Sequence, residues 1–86
     1  MKFSAQEEYG LRCLLELARS EESTISRISE AEGMSNHNVA KLLRLLRQAG
    51  FIISERGQTG GYSLSRPADQ ISVSDVLTAL GGRLFG

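Results

Sequence analysis

Over residues 35–50 the sequence SNHNVAKLLRLLRQAG is compatible with one regular structure. Val39, Leu42, Leu43, Leu46 and Ala49 recur at the three- and four-residue spacing that gathers them into a single stripe of an α-helix. Ser35 offers a cap oxygen for the helix start, and Gly50 ends the helix. At about 100° per residue, the opposite side carries His37, Lys41, Arg44 and Gln48 in one line, flanked by Asn36, Ala40 and Arg47. No acidic residue falls anywhere on this helix. A helix that is merely solvated mixes both signs of charge, so an acid-free stripe suits a surface made for phosphates and base edges.

The segments around this helix decide what it belongs to. Ser4 followed by Glu7 is a capping box, after which Tyr9, Cys13, Leu14, Leu17 and Ala18 repeat at helical spacing, predicting a first helix over residues 5–19. SEEST is a polar connector. Ile25 then leads into a short second helix, SRISEAE, stopped by Gly33 where a left-handed residue closes a helix. Two short helices joined by a tight glycine-containing turn, the second with a free polar face, make a helix-turn-helix. Residues 51–55 are rich in β-branched and aromatic side chains, and Tyr62 to Ser65 alternate with period two, so the pair reads as a hairpin. Pro67 ends its second strand. Ser72 with Asp75 caps a last helix in which Val73, Val76, Leu77 and Leu80 share a face, and Gly81 stops it. The expected fold is therefore mainly α with a small β-hairpin, in the order of a winged helix-turn-helix.

Eighty-six residues with 41% hydrophobic content form one domain. The net charge of zero hides a pattern. Residues 1–34 carry four basic residues against seven glutamates, whereas residues 35–66 carry five basic residues against Glu55 alone. A polyanion would meet the middle third of the chain. No run approaches the roughly 18 apolar residues of a membrane span, and MKFSAQEEYG has no apolar signal core, so a cytoplasmic protein without a membrane partner is expected. Cys13 alone gives neither an intramolecular disulfide nor a cysteine metal cluster, and reads as a small buried residue. His37 and Cys13, the only histidine and cysteine, fall on different helices with no aspartate near either. An enzyme is not expected.

The glycine-rich RGQTGG between the strands admits two readings. A phosphate-cradling loop needs a helix after its glycines and a Lys-Ser/Thr pair, and neither is present. The glycines suit a hairpin tip better, leaving Arg56, Gln58 and Thr59 exposed. An arginine on a narrow hairpin matches the concentrated negative potential of a minor groove.

MKFSAQEEYGLRCLLELA, EGMSNHNVAKLLRLLRQAGFI, RGQTGGYSLSRP and ISVSDVLTAL together resemble the Rrf-two family of bacterial transcriptional regulators, in order and through nearly the whole chain. The wing and the segment after it carry the more specific part of the likeness. The resemblance implies a homodimer bound to a partly palindromic operator in double-stranded DNA, and the regulator is expected to be a repressor. Helix three would lie in the major groove and the wing in the minor groove. Ser35, Asn36, His37, Ala40, Lys41, Arg44, Arg47 and Gln48 would then form the helical contact surface, and Arg56, Gln58 and Thr59 that of the wing. Asn36, His37 and Asn38 depart from the Ser-Tyr-Leu type of helix start common in the family, which points to a different operator. The resemblance also implies a division into a DNA-binding domain over residues 1–80 and, over 81–86, the start of a linker toward a cluster loop and a dimerisation helix. No cofactor is expected in the chain as it stands. An iron–sulfur cluster belongs to a longer form, in which Glu8 would be a metal ligand only with downstream cysteines; otherwise Glu8 forms an i, i+4 pair with Arg12. The competing expectation is a winged-helix module that binds protein and no DNA, in which the polar stripe of helix three is covered by another element.

Overall fold

Ser4 begins the fold by reciprocal capping: its hydroxyl accepts from the Glu7 amide at 3.1 Å, and the Glu7 carboxylate accepts from the Ser4 amide at 2.9 Å. In the computed structural model, which describes residues 3–54 and 61–81, this cap opens helix α1 (Ala5–Ser20). Then follow α2 (Ile25–Glu32), α3 (Asn36–Gln48), strands β1 (Ile52–Ser54) and β2 (Tyr62–Leu64), a 3-10 turn (Ala68–Gln70) and α4 (Val73–Gly81). This is the winged helix-turn-helix order expected from the sequence.

The turn between α2 and α3 is held by one residue. Gly33 closes α2 at φ +69°, a conformation costly for any side chain with a Cβ. The Ser29 carbonyl accepts from the Gly33 and Met34 amides, while the Ser29 hydroxyl donates to the Met34 carbonyl. Ser35 then caps α3 by accepting from the Asn38 amide at 3.1 Å. The start of α3, and hence the direction of its side chains, is tied to α2 through these bonds.

All four helices and the hairpin bury side chains in one core. Cys13, Leu14 and Leu17 of α1, Ile28 of α2, Val39, Leu42, Leu43 and Leu46 of α3, Phe51 and Ile52, and Val76 and Leu80 of α4 make up that core. The strands pair antiparallel with Ile52 opposite Leu64 and Ser54 opposite Tyr62, so these four share a face, with Ile52 buried and Ile53 turned to solvent.

Several expectations are corrected by packing. The buried stripe of α1 is Gly10, Cys13, Leu14 and Leu17, whereas Tyr9 and Ala18 are exposed. Gly10 lies in the stripe because Leu80 of α4 occupies the space of a side chain: a Cβ there would stand 2.5 Å from Leu80 Cδ1. In α4 only Val76 and Leu80 are buried, and Val73 faces solvent. Ala49 is the exposed C-cap of α3 rather than part of its apolar stripe. The polar connector after α1 is also a piece of sheet. Glu21 takes φ +66°, a conformation that costs a non-glycine residue about 1–3 kcal/mol. It turns the chain so that Ser23 exchanges two backbone hydrogen bonds with Tyr62, at 3.0 and 2.7 Å.

The Gly10 contact gives a direct test. Leu80 is fully buried, so room for the added Cβ has to come from shifting its side chain within the packed core, and Gly10→Ala is expected to lower stability by about 1–2 kcal/mol, even though alanine is the better helix former by about 1 kcal/mol. Thermal denaturation measures the difference; a raised melting temperature would show that Leu80 yields.

Candidate nucleic-acid interface

The three leucines and one valine that hold α3 in the core decide what its other side presents. With Val39, Leu42, Leu43 and Leu46 pointing inward, Asn36, His37, Ala40, Lys41, Arg44, Arg47 and Gln48 are all exposed. No other element among the described residues covers them. Ser35 is exposed as well, with its hydroxyl already accepting from the Asn38 amide.

Among the described residues the charges on this face have no ion-pair partner. Among the described residues both ion pairs lie within α1, Arg12 with Glu8 at 2.7 Å and Arg19 with Glu16 at 3.1 Å. None of the described carboxylates pairs with Lys41, Arg44 or Arg47, and α3 has no acid of its own. Three unneutralised cations on two turns of helix repel one another mildly, a cost that an approaching polyanion relieves. Arg66, counted with the basic middle third, is placed differently: its guanidinium carbon lies 5.7 Å from the centre of the Phe51 ring at the base of the hairpin.

The exposed face is concave. His37, Ala40, Lys41, Arg44 and Arg47 line an open hollow of about 370 Å³ together with Tyr62 of β2. Tyr62 is the residue that sequence reasoning missed, since its alternation with Leu64 assigns it to a strand and says nothing of what lies across from it. The double backbone bond with Ser23 sets it there, and Gly61 makes the approach close: a Cβ at Gly61 would stand 2.6 Å from the Glu22 carboxylate. Arg56, Gln58 and Thr59, expected at the tip of the wing, lie outside the described residues.

The remaining candidate groups do not assemble into a reactive or metal-binding site. Cys13 is fully buried, and burial, reinforced by the Glu32 and Glu16 charges, pushes its thiol up from 9.0 to about 12, so it stays protonated. The Glu8 carboxylate is engaged by Arg12, whose guanidinium also lies 5.5 Å from the Tyr9 ring centre. Among the described residues no three His, Cys, Asp or Glu side chains gather in a metal-binding arrangement. The residues described therefore do not fit an iron–sulfur cluster. No helix among them is long and apolar enough to cross a membrane.

Comparison with known proteins agrees with the geometry. The profile of one family, described as Rrf2, iron-dependent transcriptional regulator, matches residues 3–85. The chain is 42% identical to "Protein rrf2" of Nitratidesulfovibrio vulgaris, over 93% of this chain and 55% of that protein. Among solved structures it superposes on the global cysteine regulator CymR of B. subtilis with a TM-score of 0.89 at 32% identity, covering 96% of this chain and 67% of that one. IscR of T. potens gives a TM-score of 0.86 at 32% identity, covering 100% and 66%. The chain spans about half the length of the curated relatives it matches.

Proposed function

The chain belongs to the Rrf2 family of transcriptional regulators, and from that premise we propose that it is the DNA-binding portion of a repressor that acts as a homodimer on a partly palindromic operator. The observation that carries this reading is the bare, acid-free and unpaired cationic face of α3. A protein-binding module would need that stripe covered.

In this reading α3 enters the major groove. The hollow between α3 and Tyr62 receives one strand of the duplex, with Lys41, Arg44 and Arg47 on phosphates. Asn36, His37 and Gln48 face base edges, where an amide or imidazole discriminates by its donors and acceptors, and the Ala40 methyl offers an apolar contact of the kind that meets a thymine methyl. Arg56 enters the minor groove, flanked by Gln58 and Thr59, and reads groove width more than base identity. Residues 1–80 act as one DNA-binding unit per half-site. A cluster could enter this account only through ligands other than those described here, with Glu8 first released from Arg12.

Binding-site selection from a random duplex pool, followed by fluorescence anisotropy titration at several salt concentrations, tests the reading. Each phosphate contact contributes a slope of about −0.9 to log K against log salt, so the three α3 cations with Arg56 give a slope of roughly −3 to −4 per domain. Binding that ignores salt, or no binding at any salt, would overturn it.

A further inference from the structure

We propose that the DNA-contacting surface continues past α3 onto the first turns of α1, where a cleft between Tyr9 and Lys41 seats one backbone phosphate at the edge of the major groove. This inference rests on the DNA-binding reading. It adds an element, α1, and a neutral donor, the Tyr9 hydroxyl, that neither the helix-turn-helix nor the wing supplies.

The cleft is an open hollow of about 280 Å³ lined by Ala5, Gln6 and Tyr9 of α1 and by Asn38, Lys41 and Leu42 of α3. Lys41 lines this cleft and also the hollow shared by α3 and Tyr62, so the two depressions share one lysine side chain. A strand whose phosphate reaches Lys41 in the first hollow is already at the mouth of the second.

The donors in the cleft are unengaged. Among the described residues the Tyr9 hydroxyl, the Asn38 side-chain amide and the Lys41 ammonium have no hydrogen-bond or ion-pair partner. Gln6 differs, because its Nε2 donates to the Leu80 carbonyl at 2.5 Å; it is part of the wall and of the α1–α4 contact. No carboxylate of the described residues lines the cleft. The acids nearest in sequence are turned to other work, Glu7 accepting from the Ser4 amide and Glu8 paired with Arg12. The Arg12 guanidinium over the Tyr9 ring restrains that ring while leaving its hydroxyl free.

One cation with a phenol and an amide suits a single phosphodiester. The ammonium supplies charge, the two neutral donors fix direction, and a phosphate has acceptor oxygens enough for all three. Tyrosine and asparagine are among the side chains that hold DNA backbones in register. A contact of this kind carries no base preference. It fixes how far α3 sits along the groove, and so which bases Asn36 and His37 can reach.

Tyr9→Phe tests the proposal, because it removes only the hydroxyl and keeps the ring under Arg12. On the duplex recovered by selection, the variant is expected to bind about 5–10-fold more weakly at unchanged melting temperature. The slope of log K against log salt should stay that of the wild type, since a neutral donor releases no counterion, whereas Lys41→Ala should make it shallower by about one. Methylphosphonate substitution of each phosphate in turn should reveal one position, outside the base-read core, that weakens the wild type more than it weakens Tyr9→Phe, since the variant has already lost the hydroxyl and keeps only the Lys41 and Asn38 contacts to lose. Wild-type affinity in Tyr9→Phe, or additive losses at every phosphate, would overturn the α1 contact while leaving the α3 reading intact. Failure of the wild type itself to bind DNA would overturn both.

Discussion

Replacing Lys41 and Arg44 together by alanine is expected to lower affinity for duplex DNA by about one to two orders of magnitude at physiological salt. The melting temperature should be unaffected. Both side chains line the hollow beside Tyr62, both are exposed, and neither has an acidic partner to lose. Alanine is also the best helix former, and exposed substitutions of this kind shift stability by no more than about 0.5 kcal/mol. The salt slope should become shallower by about two, one unit for each phosphate contact given up. The loss should be nearly uniform across sequences, because phosphates report no base identity. Calorimetry or a thermal melt beside the anisotropy titration separates the outcomes. Unfolding would show that the two residues belong to the core face, and undiminished affinity would place the DNA elsewhere on the molecule.

Leu43→Ala, one residue before Arg44 and on the other side of the same helix, should give the opposite pattern. Leu43 is fully buried among side chains from the other helices. Truncating such a leucine costs about 2–5 kcal/mol, the transfer of the removed carbons plus the cavity left behind. A small domain is stable by only about 5–15 kcal/mol, so the melting temperature should fall by roughly 10–30 °C. Below its transition the variant should retain DNA affinity within a few-fold of the wild type, because the cations of α3 keep their places on a helix that is still formed. A variant with wild-type stability would mean that α3 is not anchored by this stripe. One with a native melting curve and no affinity would mean that core and contact faces had been interchanged.

The contrast between neighbouring residues 43 and 44 was legible from the sequence, because at about 100° per residue Leu43 falls in the apolar stripe with Val39, Leu42 and Leu46, and Arg44 in the polar stripe with His37, Lys41 and Gln48. The caps at Ser4, Ser35 and Ser72 and the stop at Gly33 were legible for a similar reason. Each is a local hydrogen-bonding or φ requirement met within four residues of chain. Periodicity was less informative where a stripe had to be divided between burial and solvent. Tyr9 and Val73 satisfy the helical spacing of their neighbours and are exposed nonetheless, since only contact with other elements decides how wide the buried arc is. The 3-10 turn at Ala68–Gln70 likewise lacks any period long enough to detect.

What the sequence by itself determined was the identity and order of the elements and the outward chemistry of α3, because those follow from interactions between residues a turn or less apart. Tertiary structure alone decided the shape of the surface. Tyr62 enters the hollow beside Lys41 and Arg44 because Ser23, almost forty positions earlier, exchanges backbone hydrogen bonds with it. Gly10 is a core position because Leu80 of α4 fills its missing side chain, and Gln6 is held by the carbonyl of that same leucine. That docking sets Tyr9 across from Asn38 and Lys41. Contacts between residues so far apart in the chain leave no periodic trace. They are fixed only when burial of the common core selects one arrangement of helices and hairpin, and the clefts of the surface are its consequence.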